Sequence, residues 1–111
     1  MAATEITVQS MTSAGLEVTF EAANAAGNFF ENNGRTYLVV KNGDTSDHSV
    51  IIDSPGACDQ GFYHDVTVVV TLAEERSIGP FSTARFNDTS GNVNVTYTAV
   101  TSVTVAAIKF T

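Results

Sequence analysis

Most of this chain repeats its apolar residues at every second position, and side chains with that spacing share one face only when the backbone is an extended strand. "EITVQSM" puts Ile6, Val8 and Ser10 on one face, and "LEVTFEA" puts Leu16, Val18 and Phe20 opposite Glu17, Thr19 and Glu21. "RTYLVVKNG" ends in a Gly turn, "HSVIIDSP" stops at Pro55, and "HDVTVVVTL" aligns Val66, Val68 and Val70. "RSIGPF", "NVNVTYTAV" and "SVTVAAIKF" follow, separated by "NDTSG" and "AVTS". About eight short strands joined by turns predict an all-β fold, a single antiparallel β-sandwich with either an immunoglobulin-like or a jelly-roll strand order. Residues 1–15 are expected to form a first strand or an N-terminal arm. Ala-rich 22–26 offers at most one helical turn, because Asn24, Gly27 and Asn28 oppose a longer helix. "ANAAGNFFENNGR" is expected to be a long connection that holds Phe29 and Phe30 against the core and turns at Asn33 and Gly34.

A chain of 111 residues with 43% hydrophobic composition suits one domain, 1–111, that buries enough surface to fold without staples. Its single cysteine cannot close an internal disulfide. Twelve acidic against five basic residues give a net charge of −7, and Arg35, Lys41, Arg76, Arg85 and Lys109 are scattered. A nucleic-acid partner would need clustered cations, so none is expected. No apolar run approaches the roughly twenty residues of a membrane span, and no basic start leads into an apolar signal region, so neither membrane nor secretory export is expected.

The densest cluster of chemically capable residues is "DSPGACDQGFYHD", 53–65, which holds Cys58, His64, Asp53, Asp59 and Asp65. Zinc would require paired Cys or His ligands at short spacing, and Cys58 and His64 are six apart, with His48 the only other histidine. The aspartates do not follow the alternation of a calcium loop. Cys58 lacks a recognisable nucleophile setting, and acidic neighbours raise a thiol pKa, which opposes activation. Glu74 and Glu75, adjacent on a turn, cannot face each other across a sugar as glycosidase carboxylates do. The sequons at Asn87 and Asn94 read as chance matches. The reading is therefore no enzyme, no catalytic residue, no cofactor and no metal. Gly79 and Pro80 point to an edge strand, since proline cannot donate to a central ladder.

From "YLVVKNGDTSDHSVIIDSP" through "HDVTVVVTLAEERSIGPFSTARFND" to "NVNVTYTAVTSVTVAAIKF", about residues 35 to 110, the chain resembles a group of small β-sandwich virion proteins of tailed bacteriophages, generally encoded beside the major capsid protein. The shared pattern is a strand ending in Asn, a Val/Thr strand, a polar turn with a basic residue leading into "IGPF", and a terminal Val/Thr pair closing on "VTVAAI". The resemblance implies a head decoration or cement subunit made in the host cytoplasm and mounted on the capsid surface. Its implied partners are the major capsid protein and further copies of itself, a trimer being one such assembly. A neck or tail component and a cellular binding or adhesion module are the competing readings. With no Trp to build a sugar platform, and with Tyr37 and Tyr97 in strands, Phe62 and Tyr63 at the exit of the 53–65 loop are the candidate contacts to the core, a neighbouring subunit or the capsid.

Overall fold

The two longest strands, β5 (Thr36–Asn42) and β10 (Val103–Lys109), run antiparallel in the computed structural model, which describes residues 3–55 and 65–110. Their "LVV" and "VAAI" runs are continuous rather than alternating because this sheet is covered on both faces. Leu38, Val40, Val103, Val105 and Ala107 face the core, while Val39, Ala106 and Ile108 face outward and are still buried.

The remaining strands are β1 (Thr4–Glu5), β2 (Val8–Ser10), β3 (Glu21–Ala22), β4 (Asn28–Glu31), β6 (His48–Ile52), β7 (Val66–Val70), β8 (Glu75–Ile78) and β9 (Asn92–Tyr97). One helical turn, α1 (Thr83–Phe86), precedes β9. The fold is an all-β sandwich. The first sheet runs β1-β4-β9-β6-β7, and the second runs β2-β10-β5-β8 with β3 also pairing β10. Among the described strands, only β6 and β7 are consecutive in sequence and adjacent in a sheet, so nearly every connection crosses between layers.

Both sheets are mixed. β1 lies parallel to β4 and β2 parallel to β10, a departure from the purely antiparallel expectation that arises because the N-terminal segment crosses from one layer to the other. Ile6 sits at the crossing point, 2% exposed, and fills the gap between the layers. The expected first strand is thus two short strands, and the strands among the described residues number ten rather than about eight.

Two further expectations are corrected. Asn28–Glu31 is a strand and not a connection, because it pairs with β9 over four positions and places Phe30 in the core. Leu16–Phe20 alternates as expected but joins no ladder; only Glu21–Ala22 pairs, with β10. The alternation there packs the segment across the outside of the second sheet. Gln9 and the Thr19 backbone exchange two hydrogen bonds, and Lys41 Nζ, which projects outward from β5, lies 4.0 Å from the Phe20 ring centre. The run therefore lies on the side of the sheet to which the buried Val39, Ala106 and Ile108 point.

The "IGPF" stretch serves packing. Ile78 ends β8, which among the described strands is an edge strand paired with β5 alone, and Phe81 enters the core 5.7 Å from Phe30 and 5.5 Å from Phe86 between ring centres. Gly79, at φ +128°, lies so close to β5 that a Cβ would come within 2.9 Å of the Tyr37 Cβ.

Candidate functional site: a neutral sheet face and its free edge

The 53–65 connection joins β6 to β7, whose last register pair is Ile52 with Val66. Phe62, Tyr63, Cys58, Asp59 and His64 lie outside the described residues. At the base of the connection, the Ser54 N–H donates to Asp65 Oδ1 at 2.8 Å and the Ser54 hydroxyl donates to the Arg85 carbonyl. Asp53 is held above the ordinary carboxylate range, first by burial and then by the negative charges of Asp65 and Asp88. Asp88 is held below that range because its carboxylate accepts from the Asn94 side chain and from the backbone N–H groups of Asn92 and Ser90. Among the described residues, no three His, Cys, Asp or Glu side chains converge as metal ligands would.

Other polar groups are committed to structure. His48 and Asp44 pair at 2.9 Å, and Asp44 is lowered first by the Thr45 N–H and then by His48. Glu74 is turned toward Arg76, at 3.0 Å, and toward the Thr71 hydroxyl, while Glu75 begins β8, so the two glutamates do not form a facing pair. Burial pushes the Tyr97 hydroxyl well above its ordinary pKa, with nearby Glu21 adding to the shift, and that hydroxyl donates to Asn28 Oδ1 at 2.7 Å. Tyr37 packs near Phe110 with ring centres 6.3 Å apart. The clefts lined by described residues are shallow and open: that between Asn32, Asn33, Ser90 and Lys109 holds about 220 Å³, and that between Lys41, Asn42, Ala73 and Glu75 about 360 Å³, at the lower end of the roughly 300–1,000 Å³ of ligand pockets. No helix among the described residues is long and apolar enough to cross a membrane.

The surface that stands out is the outer face of the first sheet. Because Val50, Ile52, Val70, Val93 and Val95 face the core, period two sends Asn94 and Thr96 of β9, Ser49 and Ile51 of β6, and Thr67 and Val69 of β7 outward. None of these is ionisable, although the chain carries 17 charged residues. Glu5 and Glu31 lie on the far margin, on β1 and β4, and Asp53, Asp65 and Asp88 border one end, where the Asn94 side chain donates to the Asp88 carboxylate. Val69, at 52% exposure, and Leu72, at 48%, extend the neutral surface past the end of β7.

Sequence reading did not single out these six side chains. The signal was available in "NVNVTYT" and "HSVII" beside "VTVVV", where the solvent-facing positions hold Thr, Asn, Ser and aliphatics in place of the Lys and Glu that usually coat an exposed sheet. Compared with protein-family models, curated proteins and solved structures, the chain matches none.

Proposed function

We propose that the protein is a structural binding subunit that decorates and stabilises the outside of a tailed-phage capsid by laying the outer face of its first sheet on major capsid subunits. The neutral face carries this reading. An acidic protein that kept this face in water would gain solubility from charges there, whereas the core of a protein interface excludes charge because burying an unpaired ion is costly. The face is a continuous sheet surface backed by the core, which suits contact with a protein surface better than a pocket for a small molecule. The choice of the major capsid protein as partner rests on the resemblance of residues 35–110 to proteins encoded beside it.

Capsids assembled without the protein should gain resistance to heat when it is added back, and the double variant Ser49→Glu, Thr96→Glu should fail to bind them while keeping its fold. Binding that survives both new charges would remove the face from the interface. Copies confined to one vertex would move the protein to the neck or tail, and full heat resistance without it would end the decoration reading.

A further inference from the structure

The β6–β7 pairing reveals which backbone groups of β7 are unused. The Ser49 N–H donates to Thr98 Oγ1, the Ser49 carbonyl accepts from the Thr98 N–H, and the Asp53 N–H donates to the Asn94 carbonyl. Odd-numbered residues of β6 therefore face β9, and His48, Val50 and Ile52 face β7. In antiparallel register with Val70, Val68 and Val66, they direct those three toward β6. The Leu72 N–H, which donates to Asp47 Oδ1, continues the alternation. Thr67 and Val69 are left with both N–H and C=O directed away from the sheet, and among the described residues neither pair has a partner.

Edge strands in monomers are commonly blunted by charge, proline or a bulge. β8, the neighbouring edge, carries Glu75 and Arg76; β7 and its continuation, "VTVVVTLA" from 66 to 73, carry no charge and no proline. We infer that β7 pairs antiparallel with β7 of a second copy, about a two-fold axis at Val68, and joins the two first sheets into one continuous sheet.

The spacing of the unused groups suits this occupant. With Val68 opposite Val68, Thr67 meets Val69 of the second copy and Val69 meets Thr67. These are the two residues whose N–H and C=O groups point outward, so each pair exchanges both hydrogen bonds and no edge group of either residue is left over. Charge neither selects nor forbids this register. Two copies at −7 each repel, but the strand itself adds no acid, and Asp65 falls opposite Thr71 of the second copy. The Thr71 hydroxyl accepts from Arg76 Nη2 at 2.9 Å and donates to Glu74 Oε1 at 3.0 Å, so each incoming Asp65 meets a guanidinium already paired with a carboxylate. The dimer would also double the neutral face, though the inference does not depend on the capsid reading: it concerns the protein alone in solution.

Sedimentation equilibrium of the full chain should give twice the 11.7 kDa chain mass. The register has its own readout. Val68→Cys in a Cys58→Ser background places two thiols across the axis at a Cα separation of about 4.5 Å, within disulfide reach, and mild oxidation should yield a covalent dimer. Val66→Cys in the same background places them roughly 13 Å apart, four residues out of step, and should yield none. Thr67→Lys with Val69→Lys sets Lys against Lys at both pairs and should halve the mass with an unchanged far-UV spectrum. A monomeric or trimeric wild type, or equal cross-linking at 66 and 68, would overturn the inference. So would a monomer whose lysine variant loses capsid binding, because the edge would then belong to a capsid strand. Should the lysine variant misfold, the cysteine pair decides alone. A dimer that ignores capsids would leave this inference standing and remove the capsid reading.

Discussion

Replacing Gly79 with alanine tests the packing logic of the second sheet at its tightest point. The glycine sits at φ +128°, and an added Cβ would lie 2.9 Å from Tyr37 Cβ, 3.1 Å from Tyr37 Cα and 3.3 Å from Phe81 Cε2. Two of those atoms belong to the base of a residue in β5, which is held by β10 on one side and β8 on the other, so they cannot swing aside. A non-glycine residue held in a sparsely populated backbone region costs about 1–3 kcal/mol. Forcing a methyl group into a filled space costs a further ~1–3 kcal/mol. Gly79→Ala should therefore destabilise the domain by about 2–6 kcal/mol, a large part of the ~5–15 kcal/mol that holds a domain together. Gly15 provides the control: its φ is +97°, but a Cβ there meets nothing within 4 Å. Gly15→Ala should show only the backbone cost, about 1–3 kcal/mol. Urea unfolding followed by far-UV circular dichroism suits a chain with no Trp, and the two midpoints should separate clearly at an unchanged slope. Equal losses for the two variants would mean that the 78–81 stretch does not press on β5, and the reasoning would fail.

Tyr97→Phe removes one hydrogen bond but leaves Asn28 Oδ1 with the Asn24 N–H, so urea unfolding at pH 7 should show a loss of about 1 kcal/mol. Because the Tyr97 pKa is raised in the folded state from 10.0, the neutral hydroxyl's contribution is complete below pH 10 and is lost as pH rises above it; the wild type should weaken more steeply than Tyr97→Phe in that range. Asp88, lowered from 3.8, contributes above that pH and stops contributing as pH falls through its lower folded value. Asp88→Ala should cost about 1–3 kcal/mol at pH 7 and converge on the wild type in strong acid, as read by unfolding curves across pH. Asp53 has the opposite sign: its raised pKa penalises the charged form, so Asp53→Asn should match or exceed wild-type stability at pH 7 and lose that advantage below the ordinary carboxylate range.

The parts of the fold written as local alternation were legible in the sequence, and those set by distant pairing were not. "HSVII", "VTVVV" and "NVNVTY" became β6, β7 and β9 because each buries alternate residues against the same core. β4 was hidden: "NFFE" is four residues between Gly27 and Asn32, and its strand character comes from β9, more than sixty positions away. Leu16, Val18 and Phe20 alternate as a strand does, but their partner is the outside of a sheet, and periodicity cannot distinguish a ladder from a strap. The parallel pairings of β1 and β2 left no mark on the sequence, since they follow from a crossing between layers. The loop at 53–65 drew attention through its chemical variety, whereas the neutral face owes its meaning to what is missing from six scattered positions. Such an absence becomes visible only when topology brings β9, β6 and β7 side by side.

Cryo-electron microscopy of tailed-phage heads assembled with and without this protein tests the proposal most directly. The account predicts density for the protein in many symmetry-related copies on the head, with Ser49, Ile51, Asn94 and Thr96 against the capsid shell and the Leu16–Phe20 strap away from it. A head without such density, or copies that turn the neutral face to solvent, would contradict it.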